Sequence, residues 1–287
     1  MILENNSTEA EIYKYFSKFI EDEVGIVYRP EAYFQLKNRL EALIKVYKYS
    51  SLIELYNVAK NGLPYKQKLH LLDLSTNNET SFFRDRKSFE ALEKHILPTI
   101  VKQKPRVRIW SMASSSGQEA YSVAILLENM LASGVYNFDY EILGTDISEA
   151  VLEKADSGIY SDLEVNRGLN EEQRNKYLKY DDSINKWCIK PYLKEKVKFH
   201  KLNLIQPFYF AENFDLVLCR NVLIYQNNDR KKQILKRVDK VLSPNGYLVM
   251  GSGETLIRIF ENYISKTDFG SVYYLKPESH SNIKKSS

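Results

Sequence analysis

The sequence predicts an α/β fold organised on a mostly parallel, open, Rossmann-like sheet that follows an all-helical N-terminal region. Three observations predict it. Short apolar runs of strand length recur at Arg106–Met112 (RVRIWSM), Tyr140–Gly144 (YEILG), Val197–Leu202, Phe214–Cys219 (FDLVLC) and Tyr247–Gly251, and such runs read as strands buried on both faces. Helical patterns separate several of them, notably Gln118–Leu131 (QEAYSVAILLENML) and Asp229–Leu242, and this alternation builds parallel crossovers. The stretch from Arg106 to Asp146 then joins strand, small-residue turn, helix, second strand and acid, the order of a nucleoside-binding unit.

Residues 1–75 carry only helical patterns. Ile12, Phe16, Phe19 and Ile20 share helical spacing, Pro30 stands where a helix can begin, and Tyr33, Leu36, Leu40, Leu43 and Tyr47 form one apolar stripe. Lys37, Glu41, Lys45 and Lys48 fall on a different face. Two readings stand there, a solvated, salt-bridged face or a basic docking face for an acidic helical partner. Leu52–Lys60 and Pro64–Leu74 read as further helices. Residues 76–103 read as a linker and ligand-covering segment. A polar run, TNNETSFFR (76–84), precedes a helix over Ser88–Ile96 that Pro98 is expected to end. Asn78, Thr80 and Arg84 place three hydrogen-bonding groups on one short segment, which suits a lid over a ligand. A plain linker, stapled by Phe82 and Phe83 onto the next helix, is the competing reading.

The α/β domain is expected over 104–276. Ile147–Ala155 reads as a helix capped by Ser148 or Asp146. Residues 156–196 are less regular and read as an insertion, with a short strand at Trp187–Ile189. Pro244-Asn245-Gly246 reads as a tight turn, Glu254–Phe260 as a short helix, and Asn262–Lys266 with Ser271–Lys276 as a closing antiparallel hairpin. Residues 277–287 read as a disordered tail.

Composition narrows the function classes. The chain has 287 residues, 44% hydrophobic and 27% charged, as soluble globular domains have. A net charge of +4 is mild and does not by itself point to nucleic acid. The two cysteines, Cys188 and Cys219, are far apart, and the four histidines are scattered, so no metal site is expected. No signal-peptide pattern or membrane-length apolar run is present, and a cytoplasmic location without membrane insertion is expected.

The turn Ala113–Gly117 (ASSSG) consists of small residues, so backbone can approach a ligand closely. Asp146, at the tip of the second strand, suits a ribose diol, because a carboxylate accepts two hydroxyl hydrogen bonds. The dinucleotide pattern GxGxxG is absent, and Glu119 sits in the first turn of the helix, where it repels phosphate and suits a cation. A nucleoside without phosphates that carries an amino group and a positive centre fits better, and S-adenosyl-L-methionine is such a molecule. An ordinary strand–helix–strand unit with no ligand is the competing reading. Ligands on open parallel sheets bind outside the carboxyl ends of the strands, where Glu119, Asp146, Asn203, Arg220, Asn221 and Tyr225 all fall by this reading.

NETSFFRD (78–85), WSMASSSGQEAYSVA (110–124), GTDIS (144–148), DSGIY (156–160), FDLVLCRNVLIY (214–225) and LSPNGYLVMGSGE (242–254) together resemble the chemotaxis receptor methyltransferases, the CheR family, over nearly the whole chain. Ala120 departs from the proline usual there, and the turn 113–116 is richer in serine. The resemblance implies a class I S-adenosylmethionine methyltransferase fold. It implies that the region at about 160–196 is a small β-subdomain facing the receptor. Asn78, Thr80 and Arg84 would touch the cofactor, with Arg84 beside the methyl-transfer centre. Glu119 would hold the methionine part, Asp146 the ribose hydroxyls, and Asn203 and Leu204 the adenine. Arg220 and Asn221 would complete the site, and Tyr225 would face the substrate.

The implied reaction methylates receptor glutamates and yields S-adenosyl-L-homocysteine. The implied partner is the cytoplasmic helical bundle of chemotaxis receptors, met by the basic N-terminal helices of a monomer recruited to receptor arrays. The insertion lacks the extra glycines associated with gripping a receptor tail peptide, which weighs against that habit. Two other classes compete. A methyltransferase of nucleic acid or small molecules would show an aromatic-flanked polar motif after the fourth strand, or a strongly basic cleft; CRNVLIY stands there instead. A non-catalytic docking module would bind cofactor without transferring methyl.

Overall fold

The computed structural model describes residues 2–278; the tail expected from 277 lies, beyond Glu278, outside the described residues. Contacts divide the chain into two compact units, residues 2–77 with Tyr225–Arg230, and residues 78–224 with 231–278.

The first unit is helical: α1 (Ile2–Val24), α2 (Tyr33–Tyr47), α3 (Leu52–Lys60) and α4 (Tyr65–Ser75). Pro30 opens a single 3-10 turn that leads into α2, since its fixed φ and missing N–H suit a first turn. The apolar stripe buries Leu36, Leu40 and Leu43. Lys37, Glu41, Lys45 and Lys48 are exposed. Ser51 caps α3 by accepting from the Glu54 amide. Residues 225–230 belong here through Val27 N–H to Tyr225 O at 3.1 Å and Asn227 Nδ2 to Glu21 Oε1 at 2.9 Å.

The second unit opens with α5 (Arg86–Ala91), a π turn over Leu92–Ile96 and α6 (Leu97–Gln103). Here the sequence expectation fails, because Pro98 does not end the helix. The widened turn, with Leu97 N–H bonded to Leu92 O, accommodates the proline ring and its missing donor. Burial of Leu92, Ile96, Leu97 and Ile100 keeps the helix on the core.

The chain then runs β1 (Arg106–Met112), α7 (Gln118–Ala132), β2 (Asp139–Asp146), α8 (Glu149–Ser157), β3 (Ile159–Tyr160), α9 (Asp162–Asn166), α10 (Glu171–Tyr177), β4 (Leu178–Asp181), β5 (Lys186–Ile189), α11 (Pro191–Glu195), β6 (Val197–Lys201), β7 (Phe214–Cys219), α12 (Asn228–Val241), β8 (Leu242–Met250), β9 (Ile264–Asp268) and β10 (Ser271–Leu275). The main sheet has seven strands in the order β6-β2-β1-β7-β8-β10-β9. β6, β2, β1, β7 and β8 are mutually parallel, and β10 pairs antiparallel with β8 and β9. From β1 the chain steps first to one side and later to the other, so β1 and β7 flank the topological switch point, where open α/β sheets bind ligands. The 159–189 stretch is more ordered than expected, with a second sheet in the order β3-β5-β4 and short capped helices between its strands.

Two more expectations are corrected. Leu242–Met250 is one strand, and Pro244–Gly246 is an irregularity within it rather than a turn between elements. Asn245 takes φ 60°, the register shifts between Phe214 and Leu216, and Lys276 bonds both Asn245 N–H and Gly246 O. A bulge of this kind adds residues on one strand without ending the pairing. Residues 254–260 form turns rather than a helix. Arg258 is left-handed at φ 61°, which no α-helix tolerates, and the Glu254 side chain is committed elsewhere.

Candidate functional site

The loop after β1 is held in an unusual conformation. Ala113 and Ser115 take φ of 50° and 49°, and Gly117 takes 89°. Glycine at 117 is required twice over, by its φ and because a Cβ there would lie 2.9 Å from both Ala155 Cβ and Phe199 Cζ. Ser114 N–H bonds Thr145 O at 2.8 Å, and Ser115 N–H donates to Asp146 Oδ2 at 2.9 Å. Trp110 anchors the sheet beneath, fully buried among Phe208, Phe210 and Phe214, with its Nε1 donating to Thr145 Oγ1 at 2.9 Å.

Asp146 is buried, and its Oδ1 also accepts from Ser148 N–H at 3.1 Å. Ser148 itself caps α8. Glu119, in the first turn of α7, accepts from Ser111 Oγ at 2.7 Å and pairs with Arg220 Nη1 at 2.8 Å. The Arg220 side chain is only 1% exposed, against 13% for Glu119. Its Nη2 donates to Arg84 O at 2.6 Å, and its guanidinium lies over the Phe89 ring.

The segment 78–85 is tied to this loop. Ser115 Oγ donates to Asn78 O at 2.8 Å, and Phe83 N–H donates to Ser122 Oγ at 3.0 Å. Arg84 is half-buried, and its Nη1 donates to Glu79 O at 2.6 Å. Thr80 is half-buried as well. Beyond β6, Asn203 Oδ1 accepts from Ile205 N–H at 3.2 Å, and Leu204 O accepts from Arg237 Nη1 at 3.0 Å. Asn221 takes φ 58° just past β7.

The structure thus joins Asn78 to Asp146 through Ser115, and Glu119 to the Arg84 backbone through Arg220, with Asn221 next along the chain. Asn203 and Leu204 follow β6, the strand beside β2. Tyr225 belongs to the helical unit, where its hydroxyl accepts from Asn77 Nδ2 at 2.8 Å. Sequence reasoning passed over Ser111, which donates to Glu119 across the turn, and Ser115, whose partners Asn78 and Asp146 are distant in the chain. It also passed over Glu254, although an acid just past a strand's carboxyl end was the signal that drew attention to Asp146. Cys219 is fully buried, and burial, followed by the nearby Glu254 and Glu119 carboxylates, pushes its thiol well above the usual range.

The residues fit S-adenosylmethionine. The stretch 110–124 carries no basic residue, and two carboxylates, Glu119 and Asp146, border its turn. This disfavours phosphate and favours a diol and a cationic amino acid. Ser114 Oγ and Arg220 Nε are buried without a protein partner, as polar groups awaiting a ligand are. Among the described residues, no His, Cys, Asp or Glu cluster could hold a metal ion and no helix is long and apolar enough to cross a membrane.

A mostly parallel sheet whose switch point carries two carboxylates, Glu119 and Asp146, fits the class of methyltransferases that use S-adenosylmethionine. Residues 78–269 match the family described as "CheR methyltransferase, SAM binding domain". The "Chemotaxis protein methyltransferase" of Vibrio anguillarum is 34% identical over 266 residues, 92% of this chain and 96% of that protein. "Chemotaxis protein methyltransferase 1" of Pseudomonas aeruginosa is 34% identical over 258 residues, 88% of this chain and 92% of that protein. The "Chemotaxis protein methyltransferase" of Borreliella burgdorferi is 33% identical over 247 residues, 83% of this chain and 86% of that protein. The chain belongs to the CheR family of chemotaxis protein methyltransferases.

Proposed function

We propose that this chain methylates glutamate side chains in the cytoplasmic helical bundle of chemotaxis receptors, giving methyl esters and S-adenosylhomocysteine during sensory adaptation. The observation that carries the proposal is the half-buried Arg84 on a segment bonded to the cofactor loop. A guanidinium there suits an anionic acceptor. A glutamate, with a reference pKa of about 4.3, is already ionised at neutral pH and needs no general base. When bound, the cofactor supplies an electrophilic methyl on a sulfonium sulfur.

The chain's own task is then alignment. Arg84 orients the acceptor carboxylate without neutralising it fully, and Tyr225 donates a hydrogen bond to the incoming substrate. Glu119 receives the amino group of the methionine part, and Arg220, paired with it at 2.8 Å, holds that carboxylate in place. Asp146 receives the ribose hydroxyls, Asn203 and Leu204 border the adenine, and Asn78, Thr80 and Asn221 complete the enclosure. The exposed Lys37, Lys45 and Lys48 of the helical unit support docking on an acidic bundle. The Lys37–Glu41 pair, at 3.8 Å and exposed, is too weak to mask that charge. A monomer acting in the cytoplasm at receptor arrays follows from this reading, and neither nucleic acid nor membrane insertion enters it.

Peptide mapping of receptor after incubation with enzyme and cofactor tests the acceptor. Bundle peptides should become one methyl group heavier at glutamate. Methylation confined to lysine, arginine or a terminus contradicts the proposal.

A further inference from the structure

Glu254 lies beyond β8 and has entered no part of the chemistry so far. Its carboxylate collects an unusual number of backbone donors. Oε2 accepts from Asn221 N–H at 2.7 Å and Gly251 N–H at 2.9 Å. Oε1 accepts from Val222, Leu223 and Ile224 N–H at 3.1, 2.8 and 3.1 Å. The four consecutive amides of 221–224 therefore converge on one side chain from another strand's end. Such a concave run of N–H groups binds an anion, and here the anion is built into the chain.

The arrangement has a second requirement. A Cβ on residue 251 would lie 2.8 Å from Glu254 Oε2 and 2.9 Å from Asn221 N and Nδ2. Glycine at 251 thus keeps open the space in which carboxylate and loop meet. Asn221 carries the loop into the left-handed region at φ 58°, a conformation that costs energy in a non-glycine residue and persists where its surroundings enforce it. The preceding residue, Arg220, grips Glu119 and Arg84 O.

We propose that Glu254 is a positioning residue for the cofactor site: its carboxylate sets the 220–224 loop and, through Arg220 and Asn221, the geometry in which Glu119 and the 78–85 segment meet the cofactor. The inference rests on the assignment of Arg220 and Asn221 to the cofactor site, and is independent of which acceptor is methylated. Glu254→Gln keeps the volume but turns one oxygen into a donor group that faces backbone N–H groups, and removes the charge that strengthens every bond. Gly251→Ala leaves Glu254 unchanged and displaces its carboxylate by crowding.

Two readouts on the full chain test it, hydrogen exchange of the 221–224 amides and calorimetric affinity for S-adenosylhomocysteine. In both variants exchange at 221–224 should accelerate while β1, β7 and β8 stay protected, and affinity should fall about tenfold or more. Unchanged exchange at 221–224, or faster exchange with affinity within twofold of wild type, overturns the proposal. If Glu254→Gln fails to fold, Gly251→Ala decides between the same outcomes. Failure of the wild-type chain to bind S-adenosylhomocysteine would instead overturn the cofactor site itself.

Discussion

Arg84 and Arg220 are two guanidiniums that do different work. Arg220 is sealed in, with one face over Phe89, one nitrogen on Glu119 and another on the backbone of Arg84. Removing its partner would strand a charge in a poorly solvated place, which is why such pairs are costly to break. Arg84 is half-exposed, and its Nη1 bonds a backbone oxygen on its own segment. It can turn toward a substrate without dismantling the core. Arg84→Ala is therefore expected to lower turnover about 10- to 100-fold, the worth of one charge-assisted bond at the transition state, while affinity for S-adenosylhomocysteine changes little. Steady-state rates beside calorimetry check this, and turnover within a few fold of wild type would remove Arg84 from its orienting role. The pattern that marked Arg84, FFR before a helix, was visible in the sequence. What Arg220 does was not, because its partners lie 101 and 136 positions away and only the folded sheet brings them together.

Among the elements, the 159–189 insertion and the 78–85 segment are joined tightly. Gly168 packs so closely on Phe82 that a Cβ would lie 1.9 Å from Phe82 O. Tyr160, fully buried, packs edge-on against Phe82 at 5.1 Å and donates to Ser116 O at 2.7 Å. Arg167 pairs with Glu79 at 2.8 Å. A side chain at 168 must push the 78–85 backbone away. Gly168→Ala should thus destabilise the fold by about 1–3 kcal/mol, the usual range for overpacking, and weaken cofactor binding beyond what stability alone accounts for. Urea unfolding with calorimetry measures both, and unchanged cofactor affinity would refute the coupling. The strands of the main sheet were legible because apolar runs such as FDLVLC have one reading in a buried parallel sheet. The helix through Pro98 was not, since local preference says stop while the burial of Leu92, Ile96, Leu97 and Ile100 says continue. Residues 254–260 misled in the opposite way. Leu256, Ile259 and Phe260 mimic a helical stripe, yet Arg258 is left-handed and the Glu254 side chain is spent on a distant loop.

For the molecule as a whole, the chain leaves its sheet unit at Tyr225 and returns to it at Lys231. That excursion ends the CRNVLIY run, so one motif contributes Arg220 and Asn221 to the sheet unit and Tyr225 to the helical one. Sequence showed the motif as a single block, and only the fold shows its division. Delivery of methyl groups to carboxylates is the central claim, and its most direct test uses the whole enzyme. Methyl-labelled S-adenosylmethionine is incubated with the enzyme and receptor-containing membranes, and mild alkali is then applied to the labelled receptor. Carboxyl esters hydrolyse under those conditions, whereas N-methyl groups survive. The expected result is release of the label as methanol. Label that stays on the receptor through the alkali step would contradict the claim.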